Sequence, residues 1–130
     1  MECCDNRSSR SIYEQGVFAA RDYLEQSGYR ICAMSLEEDS GWLDLVMFAN
    51  QTLVFIEVKT ADEEATEFAG SDEISVIKRK RCLEVASEFI RTGMVPPAAR
   101  TTRFDTVLVV VANNGSVSID HRPNTICVGD

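Results

Sequence analysis

A chain of 130 residues, 45% hydrophobic and 26% charged, has room for one globular domain around one buried core. No apolar run approaches the ~20 residues of a bilayer-crossing helix, which excludes a membrane protein of that type. Five cysteines without a C-x-x-C pair, a single histidine and a net charge of −8 speak against a zinc site, a disulfide framework and a generally basic nucleic-acid binder.

Residues 1–11 are polar and aperiodic and read as a flexible arm, with residues 12–130 as a single domain. The first residues have no apolar core for a signal peptide, so a cytoplasmic location is expected. Ser11 is the expected N-cap of a first helix, with Glu14 closing a capping box. Ile12, Gly16, Ala19, Ala20, Tyr23 and Leu24 then recur at helical spacing, and Gly28 ends the helix. Residues 29–36 read as a first strand, with Ile31 and Ala33 on one face and Cys32 and Met34 on the other. Residues 37–41 read as a turn.

Residues 41–59 form the most informative stretch. Two apolar runs, Gly41-Trp42-Leu43-Asp44-Leu45-Val46-Met47-Phe48 and Leu53-Val54-Phe55-Ile56-Glu57-Val58-Lys59, flank the polar break Ala49-Asn50-Gln51-Thr52. This predicts a β-hairpin. A loop of even length centred between Asn50 and Gln51 puts Asp44 opposite Glu57, with their Cβ atoms on one face about 5 Å apart. The period of two adds Lys59 to that face and turns Val58 away. An odd loop length would put Asp44 on the other face. Two carboxylates side by side on an apolar hairpin repel, and burial costs them further. A divalent cation relieves both problems. Hard oxygen donors in a small open cluster suit Mg²⁺ or Mn²⁺. The plainer alternative is a Glu–Lys pair beside a solvated Asp.

An acidic loop is expected over residues 61–70, then a second helix capped by Ser71 or Asp72 and stopped near Gly93 and Pro96-Pro97. Lys78, Cys82, Val85 and Phe89 share its apolar face. A lysine on that stripe either snorkels to solvent or points at something negative. The apolar run from Phe104 to Ala112 reads as a buried strand parallel to the third. Asp105 at its start is expected to pair with an arginine. Asn113-Asn114-Gly115-Ser116 is a turn. Val117, Ile119 and His121 then alternate in a last, half-exposed strand, with His121 on an edge-strand surface. The order is α-β-β-β-α-β-β, an α/β fold with a central mixed β-sheet flanked by helices and the third strand placed centrally.

Asp, a gap, then Glu-x-Lys on adjacent strands resembles the PD-(D/E)XK nuclease signature. More specifically, Gly41-Trp42-Leu43-Asp44-Leu45-Val46 and Val54-Phe55-Ile56-Glu57-Val58-Lys59-Thr60 resemble the G-E-I-D-L-I and V-F-V-E-V-K-T of the YraN-like family of predicted endonucleases. Gly16, Ala20, Tyr23-Leu24, Gly28-Tyr29, Lys78, Arg81, Ala86, Arg103-Phe104-Asp105 and Asn124-Thr125-Ile126 extend the resemblance along nearly the whole chain. It implies a restriction-endonuclease-like fold and a metal-dependent endonuclease acting on DNA, branched or recombination intermediates included. Asp44, Glu57 and the Val58 carbonyl would be its Mg²⁺ (or Mn²⁺) ligands. Asp44, Glu57 and Lys59 would be catalytic, and Lys78 would hold substrate phosphate. Analogy with junction resolvases adds a homodimer. Three departures stand out. Val17 replaces the family's helix-one Glu, Trp42 the Glu of its G-E-I-D, and Ala61 the Arg after its E-V-K-T. Glu14, nearly one turn before Val17, is the candidate substitute. These departures and the charge keep a second hypothesis open: a catalytically impaired relative serving as a nucleic-acid-binding or protein-interaction module.

Overall fold

The first helix, α1 (Ile12–Gln26), starts as its sequence dictates. Ser11 Oγ accepts from Glu14 N at 3.0 Å and the Glu14 carboxylate accepts from Ser11 N at 3.3 Å, a complete capping box. It ends in a Schellman motif. Tyr29 N donates to Leu24 O and Gly28 N to Glu25 O, with Gly28 at φ +101°. The computed structural model describes residues 11–38, 41–63 and 76–126, and gives residues 37, 38, 41, 42, 76–79 and 126 as backbone only. Residues 1–10 of the arm expected over residues 1–11, and most of the acidic loop, lie outside the described residues, and Ser11 is the N-cap of α1.

After α1 come β1 (Arg30–Glu38), β2 (Gly41–Ala49), β3 (Thr52–Asp62), α2 (Val76–Arg91), β4 (Thr101–Val111) and β5 (Val117–Ile126). They build an α/β fold with one five-stranded mixed sheet in the order β1-β2-β3-β4-β5. β3 is central and runs parallel to β4, and the other pairs are antiparallel. The β2–β3 hairpin has the register that the two-residue Asn50-Gln51 turn requires, with Leu45 opposite Ile56 and Ala49 opposite Thr52. Both turn residues have positive φ, +52° and +63°. This is the backbone of a type I′ turn, which matches the strand twist.

Each face of the sheet carries a helix. Val17, Ala20 and Leu24 of α1 pack on Leu45, Met47, Val54, Ile56, Val58 and Val107. Cys82, Val85, Ala86 and Phe89 of α2 pack on the opposite face with Leu43, Val46, Leu53, Phe55 and Phe104. Phe55 is the hub of the second layer, 5.9 Å edge-on from Phe89 and 5.3 Å stacked with Phe104. Such ring pairs add about 0.5–1.5 kcal/mol beyond the area they bury.

Several expectations are corrected in detail. Strand β1 runs on to Glu38, and Glu38 already pairs with Gly41, so the connection to β2 is tighter than a five-residue turn. A bulge between Ile31 and Ala33, and Ser35 at φ +51°, break its alternation. Cys32 and Ala33 both pack towards α2, whereas Met34 packs towards α1. β3 continues through Ala61 to Asp62, because β4 pairs with it as far as Val111. Glu63 then caps the β4–β5 turn, accepting from Asn113 N and Nδ2 at 3.0 and 3.1 Å. The start of the second helix, assigned to Ser71 or Asp72, lies outside the described residues.

Candidate functional site

The expected hairpin cluster lies where β2 and β3 separate. Their ladder ends at Leu45 and Ile56, one step short of Asp44 and Glu57. Leu43 and Val46 both pack towards α2 although they are three residues apart. A regular strand would put them on opposite faces, so β2 rotates at Asp44 and Leu45. The rotation leaves the Asp44 side chain aimed at the neighbouring strand. Its Oδ2 accepts from the Val58 backbone N–H at 2.7 Å, where a β2 carbonyl would otherwise stand. A strand residue sends its N–H and C=O to the same side, so the Val58 carbonyl faces this gap as well.

Asp44 is buried, at 5% exposure. Its second oxygen, Oδ1, accepts a hydrogen bond from the Tyr13 hydroxyl in the first turn of α1. Burial, and after it the hydrogen bond and charge of Asp44, push the Tyr13 pKa far above its ordinary 10.0. Tyr13 therefore remains a proton donor at any physiological pH. Bonds of this kind to a carboxylate are charge-assisted and hold it in one orientation.

Glu57 and Lys59 follow on β3 at i and i+2. Leu53 and Phe55 point towards α2 and Val54, Ile56 and Val58 towards α1. By alternation Glu57 and Lys59 therefore lie on the α2 side, both half-buried. Oε1 of Glu57 is shut off from solvent. Lys78 lies in the first turn of α2, which packs on that same face, and its side chain lies outside the described residues. Glu14, the candidate substitute for the helix-one acid that the resemblance implies, is exposed and closes the capping box. Val17, where the resemblance implies that acid, is buried in the apolar layer. Among the described residues no three His, Cys, Asp or Glu side chains gather as a metal-binding group. Two carboxylates and a carbonyl fit only a hard cation that keeps several waters, such as Mg²⁺ or Mn²⁺. A depression of about 490 Å³ on the outer face of α2, lined by Lys80, Leu83, Glu84, Ser87, Glu88 and Arg91, contains none of these residues.

Tyr13 is the contact that sequence reasoning missed. It sits three and four residues before Gly16 and Val17, on the sheet-facing stripe of α1, and that spacing was the available signal. A second polar centre surrounds Asp105, whose side chain is fully buried. Arg103 pairs with both its oxygens at 2.8 Å, which supplies the arginine partner expected for Asp105. His121 Nε2 lies 2.7 Å from Oδ2, and Asn124 N donates to Oδ1 at 2.9 Å. Burial alone raises the Asp105 pKa, but the hydrogen bonds from His121, Arg103 and Asn124 outweigh it and hold the carboxyl below its ordinary 3.8. His121 is therefore not a surface histidine but an inward clasp. A bulge between Phe104 and Thr106 makes the room for it.

The family profile described as "Uncharacterised protein family UPF0102" matches residues 18–109. A UPF0102 protein of Symbiobacterium thermophilum is 36% identical over 108 residues, covering 82% of this chain and 88% of its own. One of Chloroflexus aurantiacus is 31% identical over 113 residues, 86% and 89% of the two chains. One of Herminiimonas arsenicoxydans is 34% identical over 105 residues, 79% and 81% of the two chains. No described helix is long and apolar enough to cross a membrane. With the profile covering most of the chain and relatives above 30% identity aligning along most of their length, the chain belongs to the UPF0102 family, the YraN-like family that its sequence resembles.

Proposed function

We propose that this chain is a metal-dependent endonuclease that hydrolyses phosphodiester bonds in DNA, on a restriction-endonuclease-like fold. The observation that carries the reading is the buried Asp44 carboxylate held on the Val58 N–H, at the point where β2 leaves β3 one step before Glu57. A carboxylate in that setting is costly to bury and is oriented by fixed donors, as a ligand to a hard cation needs to be. Asp44, Glu57 and the Val58 carbonyl would hold Mg²⁺ or Mn²⁺. When bound, the ion supplies Lewis-acid polarisation of the phosphoryl oxygen and an acidified water. Lys59 presents an ammonium to the charge that develops on phosphorus oxygens. Lys78, on the helix covering the same face, holds a substrate phosphate. The cytoplasm as the place of action and a homodimer as the working unit belong to this reading.

The test is cleavage of linear, supercoiled and branched DNA with Mn²⁺ or Mg²⁺. Wild type is expected to cut, Asp44→Ala and Glu57→Ala to lose cutting, and Lys59→Ala to keep cation binding while losing rate. Cutting that survives both carboxylate changes overturns the proposal.

One observation favours the second reading, a non-catalytic nucleic-acid-binding or protein-interaction module. Val17 is sealed into the α1 layer where the resemblance implies an acid, so α1 brings a hydroxyl to Asp44 instead of a carboxylate. That reading expects no cation-dependent cutting by wild type. Its nucleic-acid form expects binding that weakens steeply with salt.

A further inference from the structure

The face that carries Glu57 and Lys59 continues across the sheet onto β5. Strands β3 and β4 run parallel, with Glu57 beside Thr106 and Lys59 beside Leu108. Strands β4 and β5 then set Arg122 opposite Thr106 and Asp120 opposite Leu108. Paired residues share a face, so Glu57, Thr106 and Arg122 form one row, and Lys59, Leu108 and Asp120 the next. The intervening residues agree. Val107 and Val109 pack in the α1 layer with Ile119 against them, and His121 turns to Asp105 on that side. Alternation then leaves Asp120 and Arg122 on the α2 side. Helix α2 itself lies over β1 and β2. Among the described residues its apolar layer stops on β3 and β4 at Phe55 and Phe104, the row before Glu57.

We infer that Arg122 is a substrate-binding residue whose guanidinium holds a phosphate of the DNA backbone beside the bond that is cut, and that Asp120 is the counter-ion it exchanges for that phosphate. The inference rests on the endonuclease reading and concerns how that site takes its DNA. Neighbouring strands are about 4.8 Å apart, which puts the Arg122 Cα roughly 10 Å from that of Glu57. One DNA strand carries a phosphate about every 3.4 Å of helix axis, so Arg122 stands about three phosphates from a bond held at Glu57. Its planar fork of donors matches phosphate oxygens. Nε and Nη2 of Arg122 both donate to Asp120 Oδ2, at 3.0 and 2.9 Å, and the two side chains are 38% and 56% exposed. So exposed a pair contributes little to stability and exchanges readily. Arg103 is the opposite case. It lies on the α1 side, locked on both oxygens of the buried Asp105.

The experiment compares full-length wild type, Arg122→Ala, Arg122→Lys and Asp120→Ala, each melted to show that it is folded. Binding of a fluorescein-labelled DNA duplex is followed by anisotropy over a salt series without divalent cation, and cutting of the same duplex is timed with Mn²⁺. Arg122→Ala is expected to bind about tenfold more weakly, and to raise KM by a similar factor with kcat little changed. Its plot of log affinity against log salt should flatten by about one unit of slope. Arg122→Lys should keep the slope and recover part of the affinity. Asp120→Ala breaks the same ion pair and is expected to bind more tightly than wild type, whereas a role confined to the ion pair moves both alanine variants alike. Unchanged affinity, KM and salt slope in Arg122→Ala, or equal weakening in both alanine variants, overturns the contact, and cutting by wild type then keeps the endonuclease reading. Weaker binding by Arg122→Ala alone, with no cutting by wild type, keeps the contact and overturns the endonuclease reading. Neither binding nor cutting by wild type overturns both.

Discussion

Gly16 sets the distance between α1 and the sheet, and Gly16→Ala tests that directly. A Cβ built at Gly16 would lie 1.9 Å from Thr60 Oγ1, 2.7 Å from Thr60 Cγ2 and 2.8 Å from Thr60 Cβ. Real contacts do not approach so closely, so α1 must lift from β3 or Thr60 must be displaced. Overpacking of this kind costs up to about 3 kcal/mol. Replacing a mid-helix glycine with alanine returns about 1 kcal/mol through helix propensity. The net loss is about 2 kcal/mol, which for a chain of this size lowers Tm by roughly 8 °C. Lifting α1 also withdraws Tyr13, one turn earlier, from Asp44. Adding Thr60→Ala removes two of the three clashing atoms and is expected to recover about half of the loss. Thermal and urea unfolding of the two single variants and the double variant measure this. A neutral or stabilising Gly16→Ala, the outcome helix propensity alone dictates, would refute the close approach.

Asp105→Ala removes the fully buried acceptor of the cluster it forms with Arg103, His121 and Asn124, while Arg103 stays partly exposed and keeps its bond to the Tyr29 hydroxyl, so a loss of about 2–3 kcal/mol is expected in urea unfolding. Because the folded pKa of Asp105 is depressed, its contribution is complete above the unfolded value near 3.8 and is lost as pH falls below it. A stability–pH curve should therefore drop on its acid limb, and Asp105→Asn should flatten that drop. The folded pKa of Tyr13 is raised, so its contribution is complete below the ordinary 10.0 and is lost as pH rises above it. In an ultraviolet titration Tyr13 should resist ionisation until the chain unfolds, and Tyr13→Phe should remove that contribution. Gln51→Gly relieves a left-handed residue in the hairpin turn and should stabilise the chain by about 0.5–1 kcal/mol in the same unfolding assay.

The hairpin was legible because local signals agreed. Asn50 and Gln51 interrupt two apolar runs, and the even loop fixes the register that Leu45–Ile56 and Ala49–Thr52 display. The capping box at Ser11 and the helix exit at Gly28 were legible for the same reason: each is decided within a few residues. The alternation of β1 was not, because the bulge after Ile31 depends on how β1 meets β2. The direction of the Asp44 side chain was hidden too. Strand period assigns a residue to a face, whereas the rotation of β2 between Leu43 and Val46 turns Asp44 towards Val58 N. Tyr13 and His121 illustrate the same limit. Each finds its carboxylate across a long sequence separation, and an isolated tyrosine or histidine carries no local pattern that names its partner.

The central claim is that Asp44 and Glu57 serve one cation, and Mn²⁺ calorimetry on wild type and Glu57→Ala tests it most directly. The account predicts one Mn²⁺ per chain in wild type and none in Glu57→Ala, with both proteins melting as folded chains. Equal binding by the two, or no binding by wild type, would contradict it.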